Sequence, residues 1–135
     1  MWETKMDNGV ANTLFVGPDK MLYGCKSVWI EPFVSSKLIL TKLNPLSGAL
    51  DMTVVSEGEC FDVMPWLVTM HGNKLYYTDN RRGNEIGVID VEKKELVERM
   101  PLNINQKVTI GAPVVTDDKV YVFIRDLQEL RVYEK

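Results

Sequence analysis

GAPVVTDDKVYVFIRD, residues 111–126, holds a short apolar run, a polar turn, a lysine and a second apolar run that carries a tyrosine. The same order recurs in NTLFVGPDKMLYGCKS at 12–27 and in MPWLVTMHGNKLYYTDN at 64–80. Aligned on Lys20, Lys74 and Lys119, the stretches bring Leu22, Tyr76 and Tyr121 together, and likewise Tyr23, Tyr77 and Val122. Short runs rich in Val, Leu, Ile and Tyr, bounded by Gly, Asp, Asn and Pro, are strand–turn–strand signals, because those residues supply the backbone angles of a tight turn. A third strand follows each pair: KLILTKLN (37–44), NEIGVID (84–90) and QELRVYE (128–134). Two of these continue through a turn into a fourth strand, PLSGALDMTVV (45–55) and VEKKELVERM (91–100), with six residues from Asn44 to Leu50 and from Asp90 to Leu96. The Glu and Lys of 91–100 suit a helix. Its place between EIGVID and Pro101 predicts a turn and a strand instead.

A four-stranded antiparallel unit repeating at about 45 to 54 residues is the signature of a β-propeller blade. The expectation is an all-β chain forming one three-blade unit over residues 1–135, with blades at 13–55, 66–100 and 113–135. The third repeat lacks a fourth strand, and the chain opens on a segment shaped like one. Met1 and Trp2 stand where Leu96 and Val97 stand in the second repeat, so residues 1–6 are expected to act as a closing outer strand. Observed propellers have about four to eight blades. Three blades therefore predict a homodimer with a six-bladed ring, each N-terminus completing the last blade of its partner.

APVVTDDKVYVFIRDLQELRVYE (112–134), VIDVEKKELVERM (88–100) and KLNPLSGALDMTVV (42–55) resemble the repeats of quinoprotein-like β-propellers of the pyrroloquinoline-quinone type. The resemblance spans nearly the whole chain and implies the fold. In that family the fourth strand often carries a tryptophan shortly after a Thr-Gly turn, and here Val97 stands at that place. The ring-stacking aromatics and metal site that hold the quinone in the family have no counterpart in these residues. The expectation is therefore the fold with no cofactor and no metal, since fold alone does not imply function.

Composition narrows the classes further. A chain of 135 residues is one domain by length. The net charge is −3, with no basic stripe of the kind a nucleic-acid partner requires. No apolar run reaches the roughly 18 residues of a membrane span, and no positive segment followed by an apolar one marks a secretory signal. A cytoplasmic location is the resulting expectation. Cys25 and Cys60, 35 residues apart, have neither zinc-site spacing nor the density of a disulfide framework. Both are expected on one face, unpaired or close enough to bond. His71, the single histidine, lies in HGNK and reads as a solvated turn residue rather than a general base. No Gly-x-Ser-x-Gly elbow or phosphate-binding loop is present.

The longer stretches between strands, including GCKSVWIEPFVSSK (24–37), SEGECFDVMPW (56–66) and TDNRRGNE (78–85), are expected as loops emerging on one face. Loops raised on a rigid scaffold are where binding concentrates. In SVWIEPF, Trp29 and Phe33 beside Glu31 form an aromatic anchor with a polar handle. Arg81 and Arg82 could pair with carboxylates or phosphates of a partner. The competing readings are rings packed beneath their own loop and a solvated arginine pair. The function expected is a non-catalytic binding or assembly module for a protein partner or ligand. The alternatives are an enzyme with carboxylates around a channel shared between chains, and a piece of a larger propeller.

Overall fold

The computed structural model describes residues 2–3, 10–80, 83–106 and 108–135. Within them the chain forms three antiparallel sheets. The first has the order β1 (Phe15–Val16), β2 (Leu22–Glu31), β3 (Ser35–Leu43) and β4 (Leu50–Glu57). The second runs β5 (Val68–His71), β6 (Lys74–Asp79), β7 (Gly83–Asp90) and β8 (Glu95–Ile104). The third has three strands, β9 (Val114–Val115), β10 (Lys119–Ile124) and β11 (Glu129–Glu134), with a 3₁₀ turn at Arg125–Leu127 joining the last two. The all-β expectation holds, and 91–100 is turn followed by strand.

Sheets with one wet face show alternating apolar and polar residues, whereas a sheet buried on both faces reads as a continuous apolar run. Strand β6 is of the second kind, with every residue from Leu75 to Asp79 buried. On one face, Leu75, Tyr77 and Ile89 pack with Tyr23, Cys25, Leu38 and Leu40 of the first sheet. On the other, Tyr76, Ile86 and Val88 pack with Val120, Val122 and Ile124 of the third. The second sheet is thus sandwiched between its neighbours, and two cores hold the chain together. The connectors contribute Val63 to the first core and Val108 to the second. Val10, Val63 and Val108 are all buried, each five residues ahead of Phe15, Val68 and Pro113.

The first repeat is one residue out of the register expected from its lysine. Gly17 and Met21 close a loop of three residues there, with the Gly17 N–H donating to the Met21 carbonyl at 2.8 Å. His71 pairs with Lys74 across only two residues, and the Thr116 N–H donates to Lys119 across two. The extra residue is Lys20, which takes φ +66. Asp19 holds this turn by accepting from the Met21 N–H at 3.0 Å and the Tyr23 hydroxyl at 2.5 Å. Tyr23 is therefore the counterpart of Tyr76 and Tyr121. A one-residue slip in a strand exchanges its faces, and the corrected register puts Tyr23 and Tyr76 on the face turned toward the next sheet and Tyr121 at the equivalent position of the third.

The turns between third and fourth strands are also equivalent. Asn44 Oδ1 accepts from the N–H groups of Leu46 and Ser47, and Asp90 Oδ1 accepts from those of Glu92 and Lys93. Each turn then places a residue at positive φ, Gly48 at +75° and Lys94 at +58°. Lys94 Nζ meets Asp51 Oδ2 of the preceding sheet at 2.8 Å. At Gly48 the neighbour is Trp2, whose indole N–H donates to the Pro45 carbonyl at 2.7 Å and whose ring would lie 2.5 Å from a Cβ on that glycine. Of the segment 1–6 expected as a closing strand, Trp2 and Glu3 are described and belong to no strand; the rest lies outside the described residues.

Gly87 faces Tyr77 across β6 and β7, and a Cβ there would fall on the tyrosine ring. Gly87→Ala is expected to cost about 1–3 kcal/mol by overpacking, measured by chemical denaturation. The Tyr77 hydroxyl is buried without a hydrogen-bond partner among the described residues. Tyr77→Phe, which removes an unsatisfied group, should leave stability unchanged or higher. A loss above about 1 kcal/mol would mean that the hydroxyl has a partner.

Candidate functional site

Strands β2 and β3 outrun the strands beside them. β1 pairs only with Leu22 and Tyr23, and β4 reaches no further than Lys37. The stretch 24–37, expected to be a loop, is instead the two arms of a projecting hairpin. Trp29 pairs with Ser36 and Glu31 with Ser35, with a bulge between them. The Val34 N–H closes the turn onto the Glu31 carbonyl at 2.9 Å, and Phe33 sits at φ +61. Each arm carries a serine, Ser27 in β2 and Ser36 in β3. Their hydroxyls bond the connector between the first two sheets: Ser27 Oγ accepts from the Val63 N–H at 2.8 Å and Ser36 Oγ from the Phe61 N–H at 2.6 Å.

At the tip the Trp29 and Phe33 rings meet at 5.4 Å between centroids, inclined at 48°. Phe33 is 82% exposed and Trp29 38%, so the pair is presented outward and neither ring belongs to the core. Glu31 is exposed beside them. Arg81 and Arg82 lie outside the described residues, and nothing places them with the tip.

Below the tip, β2 and the connector enclose a cleft of about 360 Å³, lined among others by Lys26, Trp29, Asp62, Pro65, Trp66 and Asn12. The connector side is rigidly held. The Asp62 N–H donates to Asp79 Oδ1 at 3.0 Å, and the Asp62 carbonyl accepts from the Asn80 N–H at 3.1 Å. Arg99 adds a clamp, with both Nε and Nη2 within 3.0 Å of Glu85, Nη1 at 2.6 Å from Glu59, and its guanidinium 5.3 Å above the Phe61 ring. The carboxylate of Glu85, and then that of Glu59, stabilise the charged guanidinium and push its pKa up. Trp66 is 60% exposed at the cleft. Sequence reasoning selected Trp29 and missed Trp66, although MPW closes a stretch assigned to the same face.

The two cysteines are free. Burial pushes the Cys25 thiol up to about 12, whereas Cys60 is half-buried. His71 Nε2 lies 3.0 Å from Asp117 Oδ1, linking the tight turns of the second and third sheets at the surface. Among the described residues no group of three or more His, Cys, Asp and Glu could hold a metal ion, and no helix is long and apolar enough to cross a membrane. Comparison with protein-family models, curated proteins and solved structures finds no match.

Trp29→Ala should move the melting temperature by no more than a few degrees, because the ring contacts another exposed ring. A loss of about 3 kcal/mol would mark it as core. Phe33→Gly removes a side chain from a left-handed backbone position that disfavours it, and stability should hold or rise. Alkylation at pH 8 should modify Cys60 alone in the native protein and both thiols in denaturant. Because the buried thiol resists ionisation, the stability it confers falls as pH rises from about 8.5 toward 12.

Proposed function

We propose that the chain is a non-catalytic binding and assembly module: three blades of a β-propeller with quinoprotein-like repeats, completed to a six-bladed ring by a second copy. One observation carries the assembly. The face bearing Tyr23 in the first sheet and Tyr76 in the second is covered by the next sheet. In the second sheet Tyr76, Ile86 and Val88 are 5%, 0% and 1% exposed. Their counterparts in the third sheet are Tyr121, Leu130 and Val132, and the last two are 61% and 49% exposed. Phe123 and Val114 share that face at 48% and 61%. A repeat that keeps its apolar face with no neighbour on it among the described residues is an interaction surface.

At the other end, Met52 and Val54 are exposed on the face of the first sheet turned away from the second. Trp2 supports the same arrangement. Toward the turn at Gly48 it stands as Asp51 of a fourth strand stands toward Lys94. In the proposed dimer, residues 1–6 of one copy supply the fourth strand beside β11 of the other, satisfying an edge that would otherwise recruit other chains. Burying a large apolar side chain yields roughly 1.5–3 kcal/mol, and four half-exposed ones yield about half that each. A single junction worth about 3–6 kcal/mol barely meets the 4–15 kcal/mol cost of association. A two-fold ring doubles the gain against one such cost.

Light scattering on the full chain tests the proposal. A dimer is expected, with Leu130→Asp and deletion of residues 1–6 each giving monomer or aggregate. A wild-type chain that sediments as a compact, stable monomer would overturn it.

A further inference from the structure

We infer that the cleft between β2 and the 58–67 connector is a saccharide subsite, with the Trp29 and Trp66 indoles as stacking platforms and Lys26, Asp62 and Asn12 as the groups that bind hydroxyls. The inference rests on the proposed reading of the chain as a binding module, and it names the class of ligand.

The lining selects that class by its chemistry. The volume of about 360 Å³ lies in the range of small-molecule sites. Lys26 and Asp62 bring one charge of each sign, so the cleft has no net charge with which to hold a phosphate or a polyanion. No group of metal-ligating side chains is present among the described residues. What remains is a balance of donors and acceptors: an ammonium that donates, a carboxylate that accepts and an amide that does both. Hydroxyl groups, which donate and accept at one atom, match such a set. A pyranose ring also offers a flat face of C–H groups to the amphipathic surface of an indole.

Availability points the same way. Among the described residues the side chains of Lys26, Asp62 and Asn12 make no hydrogen bond or ion pair, while the Ser27 hydroxyl in the same wall is taken by Val63. Trp66 is 60% exposed with no ring partner among the described residues. The walls are nevertheless fixed, through Ser27 to Val63 and Asp79 to Asp62, so little ordering remains to oppose binding.

Calorimetric titration of the full chain with neutral disaccharides (cellobiose, maltose, lactose and diacetylchitobiose) tests this, with a proline-rich peptide as the competing aromatic-groove ligand. At least one disaccharide should bind with a Kd of about 1 mM or tighter. Trp66→Ala and Asp62→Asn should each weaken it by about 10-fold or more at unchanged melting temperature, and Trp2→Phe should not. Silence from all four disaccharides, or affinity unchanged in both cleft variants, overturns the inference. Trp66-dependent binding of the peptide alone would also overturn it, yet would leave the hairpin face as a binding face. Light scattering on the same samples reports separately on assembly.

Discussion

Every sheet in this chain carries apolar side chains on both faces, and neither face can be left in water without cost. Leu75, Tyr77 and Ile89 on one side of the second sheet, and Tyr76, Ile86 and Val88 on the other, leave it no stable existence except between two neighbours. A stack governed by that rule has no natural end, because each sheet added brings a new apolar face with it. The chain meets the rule once in full, at its second sheet. At its third it stops with Phe123, Leu130 and Val132 uncovered. Among the described residues the three sheets do not close on one another, so nothing there covers that face.

Much of this was legible in the residues. Turn signals located the hairpins, and the recurring order of strand, turn, lysine and tyrosine-bearing strand marked the repeats. The register of the first repeat was not legible. Lys20 invited an alignment with Lys74 and Lys119, and only the hydrogen bond from Gly17 to Met21 shows that its turn is one residue longer. With a period of two along a strand, that single residue decides which face Tyr23 occupies. The same limit applied at the hairpin tip. GCKSVWIEPFVSSK was expected as a loop because it is a long stretch between two strands, and nothing in the residues reveals that Ser27 and Ser36 bond a connector arriving from more than twenty residues away. Trp66 was missed for a related reason: it lines the same cleft as Trp29, a relation between elements far apart in the chain.

The exposed tip of the hairpin is built at some expense to stability. A phenylalanine at φ +61 combines an unfavourable backbone conformation with an exposed ring. A glycine or asparagine would suit that turn better on both counts. Strained and exposed apolar residues that gather at one place on an otherwise well-packed protein are better explained by an interaction than by folding. Phe33, strained and exposed, and the exposed Trp29 and Trp66 gather at the end of the first sheet where its connector to the second arrives.

The repeat itself shows why this end of the first sheet should be singled out. The connector into the third sheet buries Val108 and Ile110 as its counterpart buries Phe61 and Val63, so the two are equivalent in their structural duty. From Asn105 to Pro113 it carries no aromatic residue, whereas the other carries Trp66. The hairpins diverge in the same sense. β10 and β11 are joined by one short 3₁₀ turn, while β2 and β3 extend past their sheet to Trp29. Positions that the stack requires are held in common, and the aromatic additions Trp29 and Trp66 fall together on a single seam. On a repeated scaffold the fold accounts for what the units share, so function has to be sought in what one unit adds. Here the additions are two indoles, a cation and a carboxylate around a cleft whose walls the core already holds rigid.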